Sequence, residues 1–218
     1  MPEKSIREMS LFERQRYSLK AKTFRGLILT CGLLGIVLLI TGLGLYSYSL
    51  TKQYISHAFY TSKIAAQSVS RGVDTNTYAN RIMNTYRSLS DEQRAMIGTD
   101  EYREFFAGAE DEQVYNTLMH MLPQYSESEE IADLSVGMYD EATGALVYIA
   151  DADNVDRRYP GDWEPISDKE IDAFLNWGGG GMLYDLDHTE RYGWMCTAGF
   201  PVHDPDGNII YFLLADTT

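Results

Sequence analysis

The chain has 218 residues, 18 of them basic and 32 acidic, for a net charge of −14. With 44% hydrophobic and 23% charged residues, this is not the composition of a disordered tail, and the length suits one domain plus an anchor. Residues 1–25 carry seven basic and three acidic side chains, +4, which leaves −18 on the remainder; such a field repels phosphate backbones and excludes a nucleic-acid role for the main domain.

The first element is apolar. No charged residue lies between Arg25 and Lys52, and Leu33–Ile40 is an unbroken run with one glycine. A helix crosses a bilayer core with about 20 such residues. The run is longer than the ~7–15 residues of a signal-peptide core, and no clean small-x-small cleavage site follows it. Tyr46 and Tyr48 stand at the far end, where aromatic rings anchor at an interface. The basic flank is N-terminal, so the reading is 1–25 cytoplasmic tail, 26–51 membrane helix and 52–218 extracytoplasmic domain. Gly35, Gly42 and Ser49 recur every seven residues. They offer a close-approach face for a homodimer, or reflect the general frequency of glycine in membrane spans. Cys31 would lie in lipid and Cys196 in the domain, so no disulfide is expected.

Lys52–Arg71 lacks Pro and Gly and places Ile55, Phe59, Ile64 and Ala65 at helical spacing. It predicts an amphipathic stalk helix that continues the span and ends at Gly72. Helices are predicted over Asn76–Leu89, from the capping box Ser90–Gln93, over Tyr102–Phe106 and over Gln113–Met121, with Pro123 as terminator. Glu127–Glu130 reads as a polar joint.

The period then changes to two. Ala132–Tyr139 and Ala145–Asp151 flank Asp140–Gly144, a hairpin signal with Gly144 in the left-handed position. A loop with Pro160-Gly161 and Pro165 follows, then a second capping box, Ser167–Glu170, opening a short helix to Trp177. Strands are predicted over Met182–Asp187, Tyr192–His203 and Asn208–Asp216, the last two joined by the turn Asp204–Asn208. Helices first and five strands after give an α+β fold with a mostly antiparallel sheet.

No catalytic constellation emerges. Gly178–Gly181 lacks the Lys-Ser/Thr of a phosphate loop, no Gly-x-Ser-x-Gly or HExxH occurs, and His57, His120, His188 and His203 are scattered. The chain itself is therefore not read as an enzyme. Asp151–Asp156 hints at a calcium loop, but Val155 and Asp156 occupy its fifth and sixth positions. Asp185, Asp187, His188 and Glu190 fit a solvated turn better than a metal site. Neither metal nor cofactor is expected. Tyr139, Tyr148, Tyr184 and Trp194 are aromatic strand positions, suited either to line a pocket or to fill the core. Asp216 closes the last strand, in alternation with Ile210, Phe212 and Leu214. A carboxylate on so apolar a face needs a partner.

This order of elements, with Val136–Asp140, Gly144–Tyr148, Gly199–Ile210 and Leu214–Asp216, resembles the single Cache domain, the PAS-like extracytoplasmic sensor of bacterial transmembrane receptors. The resemblance covers about residues 45–218. It implies small-molecule sensing, with signal transduction across the membrane. Asp216 is then implied to contact a ligand amine, the alternative being a structural cap or salt bridge. Arg158 and Trp163 are implied to grip a ligand carboxylate and side chain, which gives an amino-acid or carboxylate ligand class. Receptors of this build continue into a second membrane helix and an output module; here the output is expected downstream or on another chain. The rival reading is a membrane-anchored protein-interaction domain without a small ligand.

Overall fold

A computed structural model describes residues 11–72, 74–129, 131–166, 183–189 and 193–217. The expected helix from Ser167 to Trp177 and the Gly178–Gly181 turn lie outside them. The chain divides into two compact units, Met1–Thr51 and Lys52–Thr218.

The first helix, α1, runs from Leu11 to Gly72. Within the first unit it is exposed throughout the apolar stretch, Leu33, Ile36, Leu38 and Ile40 among its uncovered side chains. It is long and apolar enough to cross a membrane. The 26 residues Gly26–Thr51 would extend about 39 Å at 1.5 Å per residue, against a hydrocarbon core of about 30 Å.

In the second unit, α1 turns small residues inward: Ala58, Thr61, Ser62, Ala65, Ala66 and Val69 are buried. Ile64, expected on that face, is instead 50% exposed. Short side chains at 3–4 residue spacing let the helix backbone come close to its neighbours; Ile55 is buried along the same stretch, whereas Ile64 falls outside this face at about 100° per residue. Next comes α2 (Thr75–Ser88), whose N-terminus is capped by the Asp74 carboxylate on Thr77 N–H. Its buried face is Tyr78, Ala79, Ile82, Met83 and Tyr86. The capping box predicted at Ser90 is formed: Gln93 N–H donates to Ser90 Oγ and Ser90 N–H to Gln93 Oε1, opening α3 (Asp91–Arg94). Thr99 caps α4 (Asp100–Glu104) by accepting from Tyr102 N–H at its Oγ1.

The helix α5 (Glu112–Glu129) passes through Pro123 rather than stopping before it. A mid-helix proline costs about 3 kcal/mol or more. Here the helix is held on both sides of it: Leu118 and Leu122 are fully buried, and Tyr125 donates a hydrogen bond to Ser68 Oγ at 2.7 Å. Tertiary packing overrides the local preference, and most of the expected polar joint becomes the last turn of the helix.

Among the described residues six strands follow: β1 (Asp133–Asp140), β2 (Ala145–Asp151), β3 (Trp163–Pro165), β4 (Leu183–Thr189), β5 (Gly193–His203) and β6 (Ile209–Thr217). They form one sheet in the order β3-β2-β1-β6-β5-β4, every neighbouring pair antiparallel. The α+β class and the five expected strands are present; β3 is a three-residue edge addition in what reads as loop. Gly144 closes the β1–β2 hairpin at φ +66°, the left-handed conformation a glycine adopts without a Cβ clash.

The two faces of the sheet differ. One carries Leu134, Val136, Val147, Ile149, Tyr211 and Leu213 into the main core under the helices. The other carries a small cluster of Leu146, Phe212 and Leu214, with Tyr139, Tyr148, Ile166 and Ile209 partly buried against it. This second face positions the site.

Candidate functional site

Register brings five polar side chains into one band across the second face. Asp133 on β1 lies directly opposite Asp216 on β6, and Asp216 opposite Thr197 on β5. On the other side, Ser135 of β1 faces Asp151 of β2. Directly paired residues hold their Cβ atoms about 4.5–5.5 Å apart, so these side chains share one neighbourhood.

Asp151 reaches that face only through a backbone irregularity. By alternation it would accompany Val147 and Ile149 into the helix-backed core. The β1–β2 register shifts between Val136 and Gly137: Gly137 pairs with Tyr148, but Val136 pairs with Ala150. The extra residue, Ile149, flips the parity and sets Asp151 on the Tyr148 side. Once there, Asp151 is 2% exposed and fully engaged. One carboxylate oxygen accepts from Asp153 N–H at 2.8 Å and the other from Arg158 N–H at 2.6 Å.

Asp133 and Asp216 are placed less comfortably. Burial pushes the Asp133 carboxyl well up, and the Asp151 carboxylate beside it, which shares a side-chain hydrogen bond, and the charge of Asp216 add to this; the Leu134 N–H offsets part. Asp216 is pushed up to about 6, first by burial, then by Asp151, Glu164 and Asp153, against one favourable hydrogen bond from Thr197. Its Oδ1 is shut off from solvent and accepts no hydrogen bond among the described residues. Next to the band, Tyr148 donates to Glu164 Oε1 at 2.6 Å, and burial with the Glu164 charge raises its phenol far above the ordinary value. Arg158 approaches Glu164 Oε2 at 4.0 Å.

The residues singled out in the sequence therefore separate. Asp216, Tyr148 and Arg158 come together, and Tyr139 packs against the apolar cluster beside them. Trp163 does not join them. Its register partner is Val147, a helix-side residue; its Nε1–H donates to Arg94 C=O at 3.1 Å, and its ring lies 6.2 Å from that of Tyr86. Trp194 is 72% exposed, with its ring edge-on to His188 at 5.3 Å. Tyr184 pairs in register with Ala198, one position off the Thr197–Asp216 row; its side chain is outside what is described.

Two site residues escaped the sequence reading. Asp133 was legible only through its pairing with Asp216, and Asp151 is brought over by the bulge. The calcium hint at Asp151–Asp156 resolves into backbone capping: Asp153 Oδ1 accepts from Val155 N–H and Arg157 bonds Asp153 C=O and Asn154 Oδ1. Among the described residues, no group of three His, Cys, Asp or Glu side chains is arranged to hold a metal ion.

Chemically, the site is a row of poorly solvated carboxyl groups beside an apolar patch, with one guanidinium at its rim. It is short of positive charge and of hydrogen-bond donors.

No protein-family model matches the chain, and no curated protein matches it. Among solved structures it is similar to the ligand-binding domain of the Campylobacter jejuni chemoreceptor Tlp3, in complexes with L-valine and with L-norvaline. The TM-score is 0.31 and the identity 13% in both; the match covers 78% of this chain and 62% and 60% of those chains. The chain thus spans about three fifths of the structures it matches.

Proposed function

We propose that this chain is the membrane-anchored sensor part of a bacterial receptor, and that the Asp133–Asp151–Asp216 face binds a small solute through its amine. The observation that carries the reading is Asp216 Oδ1, enclosed yet without a hydrogen-bond partner among the described residues. A buried polar atom left unpaired costs free energy, and an ammonium group supplies both the missing donor and the missing charge. The patch of Leu146, Phe212 and Leu214 offers contact area to an apolar side chain. Arg158 offers a donor pair to a carboxylate at the rim, which suits an amino acid.

In this reading the N-terminus is cytoplasmic, Gly26–Thr51 spans the membrane and Lys52–Thr218 lies outside as a single Cache-like domain. The chain works as a homodimer, and its output module is downstream or on a partner. Ligand binding shifts the packing of the Lys52–Gly72 part of α1, provided the ligand prefers one arrangement over the other.

The test is a thermal-shift screen of the full chain in detergent micelles, using L-amino acids and simple amines. Saturable stabilisation by an amine-bearing solute is expected, since binding to the native state alone raises apparent stability. Stabilisation by no such solute would defeat the reading. Reporter fusions after Thr218 test the topology, with external activity expected.

A protein-interaction domain is the second reading. It is favoured by one observation, the exposed Trp194–His188 pair on adjacent strands, because exposed aromatic residues are enriched at protein interfaces.

A further inference from the structure

Arg16, Lys20, Lys22 and Arg25 are all exposed on α1, within the three turns that precede the uncharged stretch. No acidic residue occurs anywhere from Gln15 to Thr51, so this part of the helix carries four positive charges without an internal counter-charge. Tyr17 and Phe24 are 59% and 64% exposed among them. Thr23 Oγ1 donates to Leu19 C=O at 2.9 Å, a bond made within regular helix.

Their placement around the helix selects the partner. At about 100° per residue, Lys22 and Arg25 lie about 60° apart and Arg16 and Lys20 about 40° apart, and the two pairs fall on roughly opposite sides. A partner protein docking on one face would meet only half of the charge. A helix lying flat on a membrane would gather its cations on one side and its apolar residues on the other, and this one does not. Charge on both sides and at two levels fits a ring of headgroups around an upright helix. From Arg25 back to Arg16 is about 14 Å of helix, against a headgroup layer of roughly 5–8 Å and a Debye length of about 8 Å. All four charges therefore lie within reach of the surface field, and Tyr17 and Phe24 have the amphipathic or apolar rings that settle at this depth.

We infer that the Arg16–Arg25 turns of α1 recruit anionic phospholipids into the lipid shell around the span, in the leaflet at its basic end. The inference rests on the reading of Gly26–Thr51 as a membrane span, but not on any ligand of the outer domain.

The test uses the full chain reconstituted in phosphatidylcholine vesicles with trace spin-labelled phosphatidylglycerol or phosphatidylcholine. The motionally restricted fraction of each label gives its relative association with the protein. Phosphatidylglycerol is expected to associate about two- to fivefold more strongly at low salt. The preference should fall towards one in a variant with Arg16→Gln, Lys20→Gln, Lys22→Gln and Arg25→Gln. It should also fall for the unaltered chain in 1 M salt, where the Debye length is about 3 Å. Equal association of the two labels, or a preference that survives in the variant, would overturn the inference. Flotation of the same samples separates the two levels: a chain that does not float with the vesicles removes the span itself.

Discussion

Asp133 and Asp216 face each other directly across the β1–β6 pair, and both carboxyl groups are pushed upward, first by burial and then by neighbouring carboxylates, Asp151 among them for each. Two like charges on neighbouring strands destabilise a sheet unless a proton or a cation intervenes. This relationship makes the site costly when empty and receptive to an amine.

The cost has a definite pH dependence. Asp216 in the folded chain titrates at about 6, against an ordinary value of 3.8, so the native state holds this proton more tightly than the unfolded state. Its contribution to stability is then fully present below the ordinary value and is lost as pH rises through about 6. Asp216→Asn lacks this loss. The variant should gain on the unaltered chain between about pH 4 and 6, by up to about 3 kcal/mol at 1.4 kcal/mol per unit, and hold the gain above. Urea denaturation of both proteins across this range measures the difference. A variant less stable than its parent at pH 7 would instead make Asp216 a structural cap.

Asp140 behaves in the opposite sense. It is fully buried, and burial alone would raise it; the Thr143 hydroxyl, the Arg87 guanidinium at 2.7 Å and the Thr143 N–H outweigh burial and hold it below the ordinary carboxylate range. Arg87→Ala should cost about 1.5–3 kcal/mol at neutral pH by removing a hydrogen bond to a buried charge. Because a depressed carboxyl stabilises above its ordinary value and loses that contribution as pH falls, the penalty should shrink in acid. Melting curves at pH 7 and pH 3 check both magnitude and sign.

Trp163 divides stability from binding. It packs against Tyr86 and bonds Arg94 C=O on the helix side of the sheet. Trp163→Ala should lower stability by about 2–4 kcal/mol. It should leave the affinity of the folded protein for an amine solute within about twofold. A large loss of affinity in protein that remains folded would return Trp163 to the pocket.

How far the sequence disclosed this molecule follows from which rules were local. The long apolar helix, the Ser90 capping box, the Gly144 turn and most strands depend on neighbours in the chain, and they were legible. Pro123 was misread because the burial of Leu118 and Leu122 outweighs its local preference. Asp216 stood out as a carboxylate on an apolar strand face. Asp133 and Asp151 did not, because their roles depend on cross-strand register and on one inserted residue, Ile149. The helix-side position of Trp163 was not legible either: without β3, nothing fixed its parity.

The most direct test of the sensor reading is calorimetric titration of the best stabilising amine-bearing solute into the full chain and into Asp216→Asn, at pH 7.5 and pH 5. The ammonium of the ligand and the proton on Asp216 compete for one carboxylate. Affinity should therefore be highest at pH 7.5, fall several-fold by pH 5, and drop at pH 7.5 by roughly 10- to 100-fold in Asp216→Asn, the equivalent of a lost charge-assisted hydrogen bond of about 1.5–3 kcal/mol. Equal affinity in the two proteins, with no pH dependence in either, would contradict the account.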